Sequence, residues 1–215
     1  MNCIVTAGPT FEPLDDVRRL TNFSTGRLGT ELANFLAARG HQVTLLLGEP
    51  ATWAGASRAQ RVKNFSTTAD LRAKLESFSR KKVDAIFHAA AVSDFTFGKI
   101  FTRDAAGGLT ASKPSKKIST RAGNRFVELV PTPKIIAELR GWFPKTKITG
   151  WKFEAEGGRA EALRAAKKQI ADCATDFCVA NGPAYGKGFN LVSSDASKHF
   201  ATMEKLFAVL EKTAL

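Results

Sequence analysis

Residues 1–47 read MNCIVTAGPTFEPLDDVRRLTNFSTGRLGTELANFLAARGHQVTLLL, and the order of runs and breaks in them decides the fold class. Ile4-Val5-Thr6 is a short apolar run closed by the turn residues Ala7-Gly8-Pro9, the pattern of a buried strand. From Gly26 to Arg39, Leu28, Leu32, Phe35 and Leu36 recur at helical spacing, and Gly40 supplies a stop. Residues 42–47 then form a second buried strand. Further out, Leu71, Leu75 and Phe78 share one face of a helix over 70–78. Residues 83–88 make a third strand that runs into Ala89-Ala90-Ala91. This β-α-β-α-β order requires a parallel sheet flanked by helices.

Residues 95–119 break the rhythm. They mix Gly, Thr, Lys and Pro with isolated Phe and Ile, which reads as an extended arm or flap, and structureless stretches of this length are usually functional. Alternation resumes with a strand at 126–130, a helix at 133–140, a strand at 147–153, a helix at 159–170 and a strand at 176–180. Residues 190–193 and 199–203 suit a closing hairpin around Ser194-Asp195, before a terminal helix carrying Leu206, Phe207 and Leu210. The expectation is one α/β domain over 1–215, Rossmann-like and doubly wound, with a mainly parallel sheet and an inserted arm at about 95–119.

Bulk properties narrow the class. The chain has 215 residues, 44% hydrophobic and 24% charged, enough to bury a substantial core. No apolar run approaches the roughly 18 residues needed to cross a bilayer, and MNCIVTAG lacks a signal peptide's basic start, so a cytoplasmic protein without membrane contact is expected. Cys3, Cys173 and Cys178 have no metal spacing and read as buried reduced thiols. The net charge of +12 raises the question of nucleic acid. The basic residues are spread out, however, and a protein handling triphosphates gains from the same positive field; nucleic acid is not the expected partner.

In doubly wound sheets ligands sit beyond the carboxyl ends of the strands. Here the first strand ends at Gly8, and some fifteen residues intervene before Ser24-Thr25-Gly26-Arg27-Leu28-Gly29 opens the helix. Small residues at a helix N-terminus let N–H groups and the helix dipole meet a phosphate. Equally, Gly26 and Gly29 suit close helix–strand packing, and Ser24 suits an N-cap. The run is not G-x-G-x-x-G.

The intervening run resembles a known signature. Residues 9–26, from Pro9 through Glu12-Pro13, Arg18 and Asn22 to Ser24-Thr25-Gly26, are similar to the T-x-E-P-[IL]-D-x-V-R-x-[IL]-[ST]-N-x-S-[ST]-G segment of phosphopantothenate–cysteine ligases (phosphopantothenoylcysteine synthetases). Further matches follow in order: Ala89-Ala90-Ala91-Val92-Ser93-Asp94-Phe95, Lys117-Ile118, Leu129-Val130-Pro131-Thr132-Pro133 and Val179-Ala180-Asn181. The resemblance implies joining of 4′-phosphopantothenate to cysteine through an acyl-nucleotidylate, with release of pyrophosphate. It implies that Gly8, Ser24, Gly26 and Gly29 cradle the triphosphate and that Asn22 contacts the activated carboxyl. It places Arg18 and Lys117 in catalysis, and Ala90, Ala91 and Asp94 at the phosphopantothenate. Lys117 is expected to cover the acyl group from a neighbouring subunit. Lys117-Ile118-Ser119-Thr120 departs from the bacterial K-I-K-K, and Lys116 is the substitute for the missing second lysine.

For the nucleotide, Trp151-Lys152-Phe153-Glu154 is closer to the F-K-x-E of ATP-using members than to the G-F-A-A-E of CTP-using ones, so ATP is favoured over CTP. Trp151 then stacks on the base, unless it is a core aromatic, and Asn181 reads the base or ribose edge. Phe189-Asn190 is a nucleotide-side loop or a hairpin lead-in. Mg²⁺ is expected to arrive with the nucleotide, with no metal site of the chain's own. Apolar Phe97, Ile100 and Phe101 on the arm point to a homodimer, and the length leaves no room for the flavin-dependent decarboxylase often fused to such domains. His88 reads as a core histidine. A short-chain dehydrogenase would need a Tyr-x-x-x-Lys pair, and four residues after Tyr185, the sole tyrosine, stands Phe189. The remaining alternative is a nucleotide- or nucleic-acid-binding module without ligase activity.

Overall fold

The computed structural model describes residues 1–104, 106–112, 115–119 and 123–215. Its centre is an eight-stranded sheet. Strands β1 (Asn2–Ala7), β4 (Gln42–Gly48), β5 (Arg61–Phe65), β6 (Ala85–His88), β10 (Lys147–Phe153) and β11 (Phe177–Asn181) run parallel. The antiparallel hairpin of β12 (Phe189–Val192) and β13 (Ser197–Phe200) closes one edge, in the order β13-β12-β11-β10-β6-β1-β4-β5. From β1 the chain steps outward through β4 to β5, then returns to lay β6 on the other side of β1. The topological switch therefore lies between β1 and β6.

Alternation along the central strands sorts side chains into two layers. Cys3, Val5, Val43, Leu45, Ala85 and Phe87 face α1 (Arg27–Ala38) and α5 (Met203–Ala214), burying Leu32, Leu36, Leu206 and Leu210. Ile4, Leu46, Ile86 and Ile148 face α2 (Thr68–Glu76) and α3 (Ile135–Trp142). Helix α4 (Arg159–Cys173) covers Cys178 and Ala180 with Ala162 and Ala166. The three thiols are buried and unbridged; burial pushes Cys178 up to about 12 and Cys3 to about 11. Among the described residues no helix is long and apolar enough to cross a membrane.

Three sequence expectations change. The arm is a sheet: β7 (Phe95–Arg103) pairs with both β8 (Leu109–Ala111) and β9 (Arg125–Pro131), all antiparallel. The strand expected at 126–130 thus belongs to the arm, where each backbone group in register gains a partner that an isolated flap would lack. Strand β5, whose burial is confined to Phe65, shows no apolar run to betray it. Residues 9–26 contain a second unforeseen element, the hairpin of β2 (Phe11–Pro13) and β3 (Arg19–Thr21).

Candidate functional site

Gly8, Ser24, Thr25, Gly26, Arg27, Leu28, Gly29, Ala89 and Met203 line a cleft of about 300 Å³ at the switch point. Its floor is where β1 and β6 end, and the first turn of α1 forms one wall. Gly8 and Gly26 take φ values of +78° and +81°, a region that side chains disfavour. A Cβ on Gly8 would stand 2.9 Å from the Ala51 side chain, and one on Gly26 would stand 3.0 Å from it. Gly29 is confined from the other direction, since its Cβ would lie 2.6 Å from Ala7 Cβ and 2.9 Å from the Thr6 carbonyl. The glycines therefore let strand, turn and helix meet, and the meeting creates the cleft. Gly26, not Ser24, occupies the N-cap and no side chain caps the helix, which corrects one reading of Ser24. The Arg27 N–H reaches Thr25 Oγ1 at 3.3 Å. The N–H groups of Leu28 and Gly29, in the same first turn, have no intrahelical acceptor by helix geometry.

Beside the cleft, the 9–26 loop is sewn to the segment after β6. The Thr10 N–H donates to the Ala91 carbonyl (3.1 Å), and the Ala91 N–H to the Gly8 carbonyl (3.0 Å). Thr10 Oγ1 donates to Ser93 Oγ (3.1 Å) and accepts the Ser93 N–H (2.8 Å), while Thr21 Oγ1 donates to the Thr10 carbonyl (2.8 Å). Buried Glu12 accepts the Thr68 N–H at 2.9 Å, fixing β2 to the start of α2, where the helix dipole favours a carboxylate. On this frame Asn22 Nδ2 donates to the Ala91 carbonyl at 3.2 Å. One amide N–H anchors the side chain, and the second is left to point elsewhere. The small side chains of Ala90 and Ala91 leave room, but their N–H groups are already used: that of Ala90 donates to Thr6 Oγ1 at 3.1 Å.

His88 sits beneath this junction as a core residue. Its Nδ1 lies 3.0 Å from Thr6 Oγ1, and burial pushes its pKa down to about 4. Burial disfavours the imidazolium, so the ring is neutral near pH 7. Unfolded histidine titrates near 6.5, so between about pH 6.5 and 4 the unfolded chain binds the extra proton. Stability from this group is complete above that window and is lost on acidification, on the order of 3 kcal/mol. Urea denaturation from pH 7 to 4 is expected to show a shallower acid limb in His88→Gln than in the wild type; parallel limbs would contradict it.

The other expected residues fall around this centre. Arg18 pairs with Asp15 through Nε (3.1 Å) and Nη2, and Nη2 also donates to the Ile118 carbonyl at 2.8 Å. Asp15 accepts the Ile118 N–H at 3.0 Å, and the Asp16 N–H donates to the Lys116 carbonyl at 3.0 Å. The Arg18 guanidinium, with the backbone N–H groups of Ile118, Val17 and Arg18, holds the Asp15 carboxyl well below the usual carboxylate range. Lys117 is exposed, and its segment is stitched to the 14–18 turn of its own chain; Thr120 lies outside the described residues. Asp94 is exposed at the root of the arm, its carbonyl accepting the Thr132 N–H at 3.0 Å.

Trp151 and Phe189 are half-buried and pack, with Met203, against the α1–α5 core layer. The Trp151 indole N–H is buried with no acceptor among the described residues. Asn181 ends β11 opposite Phe153, and its carbonyl accepts the Glu154 N–H at 3.0 Å. Sequence reading placed Thr10, Glu12 and Ser93 within the matched segments but gave them no role, because their types fit any polar loop. Among the described residues no group of three His, Cys, Asp or Glu side chains is placed to hold a metal ion.

A cleft at the switch point of a parallel sheet, beside a helix N-terminus that no side chain caps, is the place where α/β proteins of this architecture bind ligands. A model of the DNA/pantothenate metabolism flavoprotein C-terminal domain matches residues 1–213, and the chain belongs to that family. It is 32% identical over 208 residues to the coenzyme A biosynthesis bifunctional protein of Thermococcus kodakarensis, covering 94% of this chain and 47% of that one. It is 35% identical over 170 residues to a cysteine/cysteine sulfinic acid decarboxylase of an unknown prokaryotic organism, covering 78% and 43%. The chain thus spans less than half of each of these relatives, one named for a biosynthetic pathway and the other for a decarboxylation. The DNA/pantothenate metabolism flavoprotein of Streptococcus pneumoniae shares the fold, with a TM-score of 0.84 at 24% identity over 99% of this chain and 97% of that one.

Proposed function

We propose that this chain joins 4′-phosphopantothenate to cysteine in coenzyme A biosynthesis, driven by a nucleoside triphosphate. The observation that carries the reading is the Asn22 amide on the Ala91 carbonyl, which brings two motif segments 69 residues apart to the rim of a phosphate-suited cleft. Family membership and the relative that acts in coenzyme A biosynthesis support the same substrate class.

An amine cannot displace oxide from a carboxylate. Attack of the 4′-phosphopantothenate carboxylate on the α-phosphorus forms an acyl-nucleotidylate and expels pyrophosphate. The cysteine amine then adds to the acyl carbon, loses a proton and expels the nucleoside monophosphate, leaving the amide. In this scheme the first-turn N–H groups of α1 and the glycines at positions 8 and 26 hold the phosphates, with Mg²⁺ carried by the nucleotide. The free N–H of Asn22 donates to the acyl oxygen as charge develops there. Ala90, Ala91 and Asp94 flank the pantothenate side, and Arg18 keeps the Lys117 segment of the arm beside it.

Trp151, Asn181 and Phe189 form the base side of the site, where a nucleotide acceptor would satisfy the indole N–H; ATP is the favoured triphosphate over CTP. Phe97, Ile100 and Phe101, the residues that first suggested a homodimer, are half-buried, and it is the exposed Phe95, Leu109, Leu129 and Val130 of the arm sheet that suit such an interface. The reading is tested by pyrophosphate release on incubation with 4′-phosphopantothenate, cysteine, Mg²⁺ and each triphosphate in turn.

A further inference from the structure

Of the nine residues lining the cleft, Arg27 alone carries a charge. Its guanidinium is held on two sides. Nε donates to Glu31 Oε1 at 2.8 Å, one turn along α1, and the guanidinium carbon sits 4.7 Å from the centroid of the Trp53 ring. The two contacts leave both Nη atoms without a hydrogen-bond partner among the described residues. Those Nη donors are the planar fork that matches two phosphate oxygens. Glu204, in the first turn of α5, is a second carboxylate within electrostatic reach of Arg27.

Trp53 is itself fixed. Its backbone N–H donates to the Thr25 carbonyl at 3.0 Å, and Thr25 Oγ1 accepts the Arg27 backbone N–H, so the main chain that carries the ring and the main chain that carries the guanidinium are tied to one turn. The loop that carries Trp53 packs Ala51 against both Gly8 and Gly26. Its far end is tied to α1 by Asn34, which donates to the Ala56 carbonyl at 2.9 Å and accepts the Arg58 N–H at 2.6 Å. A flexible arginine at a cleft mouth would lose rotamer freedom on binding; one stacked on an anchored ring has less to lose.

We propose that Arg27 clamps the phosphate chain of the nucleotide and that Trp53 is the positioning residue that holds it ready. The proposal rests on the reading that a triphosphate occupies this cleft.

The test is equilibrium dialysis of ATP and of CTP, with Mg²⁺, against the purified full chain and its variants, with steady-state kinetics alongside. Arg27→Gln is expected to weaken triphosphate binding about 10- to 100-fold, the loss of a charge-assisted pair of hydrogen bonds. Trp53→Ala is expected to weaken it about two- to fivefold, and Trp53→Phe to retain most of the affinity. KM should rise for the triphosphate and stay level for 4′-phosphopantothenate and cysteine. In the Arg27→Gln background, Trp53→Ala should add no further loss, because Trp53 acts through Arg27. Binding by Arg27→Gln within twofold of the wild type would overturn the proposal, as would an equal Trp53→Ala effect in both backgrounds. A wild-type chain that binds no triphosphate would instead remove the underlying reading of the cleft, a separate and recognisable result.

Discussion

Asn22→Asp is expected to lower turnover by about 10²–10³ while leaving the fold intact. The substitution replaces an amide that donates to the Ala91 carbonyl, and in the proposed scheme to a developing oxyanion, with a carboxylate that can only accept. The Ala91 carbonyl is not orphaned, because the Thr10 N–H still reaches it at 3.1 Å, and the Thr10–Ser93 bonds keep the 9–26 loop docked. The expected damage is therefore chemical. It should appear in kcat with a small change in the melting curve, and an acyl-nucleotidylate should accumulate when amide formation is slowed more than activation. Stopped-flow product analysis with the melting curve beside it separates the cases. Turnover near that of the wild type would remove Asn22 from the reaction.

Gly29→Val carries the largest expected effect on the fold. A Cβ here would lie inside contact distance of both the Ala7 side chain and the Thr6 backbone, and Val adds two methyl groups to it. Replacing Gly by a better helix former gains up to about 1 kcal/mol in an exposed helix. Forcing atoms into a packed interface costs about 1–3 kcal/mol and occasionally more, and here β1 lies between two strands and has nowhere to retreat. The net expectation is a loss of about 3 kcal/mol, a melting point lower by about 6–12 °C. Because the same helix turn walls the cleft, triphosphate affinity should fall as well. An unchanged melting point would mean that α1 does not press on β1 as described.

Much of this architecture was legible because it is written in apolar periodicity. Leu32, Leu36, Leu71, Leu75, Leu206 and Leu210 all bury as their helical spacing demands. Strand β5 was hidden because Arg61-Val62-Lys63-Asn64 is an exposed edge, paired on one side only, where burial does not select for hydrophobics. The arm sheet was hidden because its strands are half-exposed, and the pairing of its two longer strands is interrupted by a register shift between Phe97 and Ile100. The glycines that line the cleft were already candidates from their place between the first strand and the first helix, while Asn22 was a candidate only through the signature that the 9–26 run resembles. What residue types alone did not reveal is division of labour: Gly29 is required by Ala7 and Thr6, Arg18 by Asp15 and the arm, and Glu12 by the start of α2. Each of these depends on a partner 20 or more residues away, or on a turn whose shape no periodicity encodes.

The central claim is amide formation on 4′-phosphopantothenate, and coupled pyrophosphate release tests it most directly. With 4′-phosphopantothenate, cysteine, Mg²⁺ and ATP or CTP, the purified chain should release pyrophosphate in step with the appearance of phosphopantothenoylcysteine. Omission of cysteine should limit release to about one equivalent per site. No pyrophosphate with any triphosphate, from a chain whose melting curve shows it folded, would contradict the claim.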